Sequence, residues 1–167
     1  MIWRPSPNMI TATHTKTTVD SQVIKVGSRE ISHEEAGKLA IATAVSKKAT
    51  RPILLNLVPQ GGFTEYFAIV SVQNSRQAYA VAEAVRLYFK DTLGILPVSI
   101  DGMESQNWVL LDFGFLFVHV FLEPTREAYK LEQLWNKAHV VEVTEPMCDA
   151  LLKEVESHLP KFSNEDL

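Results

Sequence analysis

The eight residues Phe115 to Leu122 constrain the fold more than any other part of the chain. Phe115, Phe117 and Phe121 fall on one alternating set, and Leu116, Val118, Val120 and Leu122 on the other, with His119 among the phenylalanines. A strand apolar on both faces has no side to give to water, so it belongs in the middle of a sheet covered by helices. Trp108 to Asp112 is a second apolar run, and Phe113-Gly114 between the two supplies a tight turn, so the pair reads as a hairpin.

The flanking segments alternate between the two periodicities. Ser32 with Glu35 is a capping box, and Ala36, Leu39, Ala40 and Thr43 then repeat at helical spacing, which predicts a helix from His33 to Lys48. Pro52 cannot continue it. Ile53 to Val58 reads as a buried strand, Pro59 to Gly62 as a turn, and Tyr66 to Val72 as a second core strand. Asn74 caps a second helix whose apolar face is Ala78, Val81, Ala82, Val85 and Phe89, ended by Gly94. Pro97 to Asp101 is edge-like because proline removes a ladder donor. Pro124 and Thr125 start a third helix with Ala128, Leu131 and Trp135 on one face. His139 to Val143 is a further candidate strand, and Thr144 with Pro146 opens an amphipathic last helix carrying Met147, Leu151, Leu152, Val155 and Leu159. This order predicts an α/β sandwich: a mixed sheet of about five strands with helices on both faces. Residues 1–30 are expected to be a flexible extension, 31–143 the domain, and 144–167 a C-terminal helix and tail.

With 167 residues and 46% apolar content, one domain with a real core is expected. Sixteen basic against twenty acidic residues leave a charge of −4, the wrong sign for a protein that lives on phosphate contacts. No apolar run approaches the ~18 residues that span a bilayer, so no membrane association is expected. The single cysteine, Cys148, excludes an intramolecular disulfide framework. The first nineteen residues hold no carboxylate and many threonines, but Pro5 and Pro7 favour a plain tail over the arginine-rich amphipathic helix of a transit peptide.

Asp112-Phe113-Gly114 matches the magnesium-binding string of protein kinases, but no glycine-rich loop or catalytic loop accompanies it, so a hairpin turn is the better reading. Metal-dependent nucleotidyl transfer needs carboxylates two apart on a strand; the chain has no Asp-x-Asp, and Glu154-x-Glu156 sits in the last helix, where such residues do not share a face. His119 among phenylalanines invites a catalytic reading, yet no serine or cysteine is nominated beside it, and a hydrogen-bonded structural histidine is favoured. The histidines and Cys148 lack zinc-site spacing, so neither metal nor cofactor is expected. Trp135 reads as core. Trp108 stays open between core filler and, following the polar Glu104-Ser105-Gln106-Asn107 loop at the sheet's rim, a hot spot for protein binding. The Arg126, Glu127, Lys130 and Glu132 cluster reads, on its own, as a solvated helix face.

Trp108, Asp112, Gly114, Val118-His119-Val120-Phe121, Glu123, Arg126, Tyr129, Leu131-Glu132 and Leu134-Trp135 form an ordered series that resembles the ribosomal silencing factor family, also called RsfS or Iojap-related. The resemblance spans about Glu34 to Trp135 and includes Tyr66-Phe67, Arg76-Gln77 and Gly102. The chain departs from the family pattern at Arg51-Pro52, Glu65, Val72-Gln73-Asn74 and Phe115, three of which replace an acidic residue by another type or length. The resemblance implies a nucleotidyltransferase-like topology without chemistry of its own. It further implies binding to the large ribosomal subunit through its conserved protein fourteen, a block on small-subunit joining, and a homodimer when free. By the same resemblance the partner-binding residues are Trp108, Asp112, His119, Glu123, Arg126, Tyr129 and Glu132. An acidic chain suits a basic ribosomal protein and offers little to naked RNA. Bacterial cytoplasm is the expected compartment, with a mitochondrion or plastid as the alternative. Two other readings stay open: a nucleotidyltransferase-fold enzyme, and an interaction module diverged to another partner.

Overall fold

A computed structural model describes residues 23–159 of the chain. Its centre is a six-stranded mixed sheet in the order β5-β6-β7-β4-β3-β8. The strands are β3 (Thr50–Asn56), β4 (Tyr66–Val72), β5 (Ser99–Asp101), β6 (Trp108–Asp112), β7 (Leu116–Leu122) and β8 (His139–Val141). β4 and β7 run parallel in the middle, with Phe67 opposite Phe117 and Val70 opposite Val120, and every other pairing is antiparallel. β7 is buried along both faces up to Leu122, as its composition requires.

The two faces have different cores. Ala68, Val70 and Val72 of β4 and Leu116, Val118 and Val120 of β7 join the aliphatic core. Three helices supply the rest of that layer: α1 (His33–Ser46), α2 (Ser75–Tyr88) and α5 (Glu145–Ser157). The opposite face is aromatic, with Phe67, Phe117 and Phe121 packed on Leu131 and Trp135. It is covered by α3 (Glu123–Tyr129) and α4 (Leu131–Leu134). Caps fix the helix starts. Ser32 and Glu35 form the capping box of α1, and Asn74 Oδ1 accepts from the Gln77 amide at 2.8 Å to start α2.

The mixed sheet expected to have about five strands has six, the candidate strand His139–Val141 pairing with β3. The structure corrects the sequence reading in three places. Regular structure begins before residue 31: β1 (Val23–Val26) and β2 (Arg29–Ser32) form a separate antiparallel hairpin around Gly27-Ser28. The remainder of that expected extension, and the end of the C-terminal tail, lie outside the described residues. The expected third helix is two, broken at Lys130, which takes a left-handed φ of 48°. Ala128 is therefore exposed instead of sharing a core face with Leu131. Finally, Leu151, Leu152, Val155 and Leu159 pack on the core as expected, but in α5 Cys148 is buried there and Met147 is exposed.

The hairpin and the last helix are clamped together. Arg29 bridges Glu35 of α1 at 2.7 Å and Glu154 of α5 at 3.1 Å. Gly27 approaches so closely that a Cβ there would lie 2.4 Å from the His158 carbonyl oxygen. α2 ends in a π-helical turn, Phe89–Leu93, which stacks Phe89 on Phe113 with ring centroids 4.3 Å apart.

Candidate protein-binding surface

Trp108 opens β6 directly opposite Phe121 of β7. It is half-buried, stacked on Phe121 at 4.6 Å and leaning on Tyr129 of α3 at 5.0 Å, so the three rings make an aromatic shelf at the end of the sheet. The indole is fixed from below, where its Nε1–H donates to Nδ1 of His119 at 3.1 Å. Because an indole can only donate, Nδ1 must accept, which assigns the imidazole proton to Nε2. His119 has no exposed surface and packs edge-on against Phe67 at 4.5 Å. Burial drives its pKa down to about 3, so the ring is neutral at physiological pH and poorly suited to proton transfer.

The position of Tyr129 depends on Arg126, which is 2% exposed. Its Nε donates to Glu132 at 2.7 Å, and its Nη1 donates to the Arg51 carbonyl at 2.7 Å and the Ser71 hydroxyl at 2.9 Å. Nη2 lies 2.7 Å from the same Glu132 oxygen, close enough for an ion pair although it lacks hydrogen-bond alignment. One guanidinium thus ties α3 to α4, to β3 and to β4. The Arg51 side chain adds a surface layer, pairing with Glu123 and, at 2.5 Å, with Glu127. The Ser71 hydroxyl, then Arg51 and Arg126, hold the Glu123 carboxyl below the usual carboxylate range. Arg51, Arg126, Glu127 and Glu132, with Lys130, line a cleft of about 400 Å³.

Of the seven expected partner-binding residues, Trp108 and Tyr129 meet in the shelf, while Glu123 and Glu132 lie partly exposed beside the α3–α4 corner. His119 and Arg126 are inside, contrary to a direct contact role and, for Arg126, to a solvated helix face. Their hydrogen bonds are what set the shelf and corner. Asp112 sits at the opposite end of β6, four residues and roughly 13 Å from Trp108. Its Oδ1 accepts from the Gly114 amide at 2.7 Å, which makes it a turn former. Sequence reasoning missed Arg51 and Ser71, whose parts in the Arg126 network depend on contacts 75 and 55 residues away. Phe115 stacks on His33 at 4.1 Å, and His33 pairs with Glu65 at 2.5 Å, so two of the departing positions pack together. Among the described residues no group of three or more His, Cys, Asp or Glu is arranged to hold a metal ion, and no helix is long and apolar enough to cross a membrane.

A family profile described as ribosomal silencing factor during starvation matches residues 30–165. A ribosomal silencing factor RsfS of Halalkalibacterium halodurans is 32% identical over 113 residues, covering 68% of this chain and 96% of that protein. A mouse protein named mitochondrial assembly of ribosomal large subunit protein 1 is 33% identical over 50% of this chain, which spans 37% of the mouse protein. The chloroplastic protein Iojap of Arabidopsis thaliana is 28% identical over 77% of this chain and 55% of its own length. A crystal structure from Chromobacterium violaceum superimposes with a TM-score of 0.61 at 31% identity, over 64% of this chain and 88% of the other. One from Bacillus halodurans gives 0.56 at 31% identity, over 64% and 95%. The shared fold supports the sequence match, and the match extends over most of both chains: the protein belongs to the ribosomal silencing factor (RsfS) family.

Proposed function

We propose that the protein is a ribosomal silencing factor that binds the large ribosomal subunit through its conserved protein fourteen and represses translation by keeping the small subunit from joining. The observation that carries this reading is the Trp108–Tyr129 shelf. It is a half-buried aromatic pair at the sheet's end, held by a buried histidine, of the kind that anchors protein interfaces. The names of the bacterial relatives support the silencing role, and that of the mouse relative supports the large subunit as the target. The net charge of −4 suits a basic ribosomal protein. The protein acts by occupancy and not by catalysis; when free it is a homodimer, and its compartment is the bacterial cytoplasm or an organelle with its own ribosomes.

Co-sedimentation with cognate large and small subunits, followed by light scattering of subunit joining, tests the reading. The protein should pellet with large subunits alone and suppress joining. Trp108→Ala, with its circular dichroism unchanged, should weaken large-subunit binding by about thirtyfold, the effect of losing an anchor worth ~2 kcal/mol. Failure of the unsubstituted protein to pellet with cognate large subunits would defeat the proposal.

A further inference from the structure

β5 is the outermost strand on its side of the sheet, paired only with β6 among the described residues. The two most exposed large hydrophobic side chains described, Val98 at 76% and Leu96 at 66%, lie just before it. A free edge flanked by exposed aliphatics is a template for another strand. The surroundings say which kind. From Asp91 to Thr125 the sequence has five carboxylates and neither lysine nor arginine. At the C-terminal end of β5 a cleft of about 450 Å³ is lined by Ile100, Asp101, Met103 and Glu104, among others. Neither carboxylate of that cleft is paired with a cation among the described residues. Apolar walls with acidic groups fit the aliphatic stem and charged head of a lysine or arginine.

We propose that the β5 edge binds an extended segment of a basic partner protein as an added strand. Leu96 and Val98 pack on its apolar side chains, and a lysine or arginine enters the Asp101/Glu104 cleft. Pro97 offers no N–H to a partner, and the Val98 N–H already donates to the Asp112 carbonyl at 2.7 Å, so pairing with an added strand begins beyond Val98. A second copy of this chain would bring like charges against Asp101 and Glu104, and RNA would bring phosphates; both are disfavoured. The inference goes beyond the ribosome reading and does not depend on Trp108.

The test adds a short peptide alternating lysine and valine to the full-length protein and follows amide hydrogen exchange together with fluorescence anisotropy. Protection should rise at Ser99–Asp101. Val98→Lys, and separately Asp101→Lys with Glu104→Lys, should weaken binding about tenfold. Trp108→Ala should leave it unchanged. Equal binding of a peptide alternating glutamate and valine, or binding without protection of β5, would overturn the proposal. A dimer that Val98→Lys disperses would overturn it as well, because the edge would then belong to a second copy.

Discussion

At His119 the burial that removes the imidazole from water also fixes its tautomer, through the bond from Trp108. With the folded pKa near 3 and an unfolded value of about 6.5, the unfolded chain takes up the proton first as pH falls. The stability contributed by the neutral ring is complete above about pH 6.5 and is lost toward pH 3, with a slope of up to ~1.4 kcal/mol per pH unit. Urea midpoints of the protein should therefore fall between pH 7 and pH 4.5 more steeply than those of His119→Phe. Equal slopes in the two proteins would refute this origin. The sequence located this histidine on the sheet, because its strand alternates so clearly. Its partner was not legible, since the 11 residues to Trp108 are bridged only by the hairpin register.

Among the elements, the corner between α3 and α4 rests on one buried cation and one strained residue. Arg126→Lys keeps the charge but cannot reach Glu132, Ser71 and the Arg51 carbonyl from one fork, and should cost about 1–3 kcal/mol in urea denaturation. Lys130→Gly relieves the left-handed backbone and should stabilise the fold by about 0.5–1 kcal/mol in the same assay. A loss of stability would mean that the lysine side chain contributes to the corner. The elements themselves were largely legible where a local signal exists: the Ser32–Glu35 box, the Asn74 cap, and the two-faced apolar run of β7. The break at Lys130 was not, because nothing in Tyr129-Lys130-Leu131 marks a turn as glycine or proline would. Arg126 misled for a related reason. An arginine beside glutamates on a helix looks solvated until β3 and β4 bring Arg51 and Ser71 against it. The first hairpin was missed because its strands have only four residues each, too short for an alternating pattern to stand out.

Across the whole molecule, the sheet separates an aliphatic layer, where the hairpin, α1, α2 and α5 pack, from an aromatic layer that carries the shelf. Gly27 in the hairpin has φ of +57° and almost no room before the His158 carbonyl. Gly27→Ala should cost about 1–2 kcal/mol and accelerate amide exchange in the last turn of α5 while leaving the exchange of β7 unchanged. Unaltered exchange in α5 would show that the contact does not hold the helix. The same contact bears on how the protein is made. Ser28 and His158 meet across 130 residues, and Arg29 waits for Glu154. The strand pair is made early but can find its partner only when the final helix follows, so this part of the aliphatic layer closes late in synthesis. A nascent chain halted before Glu145 would carry an incomplete aliphatic layer, exposed to chaperones and proteases while still tethered to a ribosome.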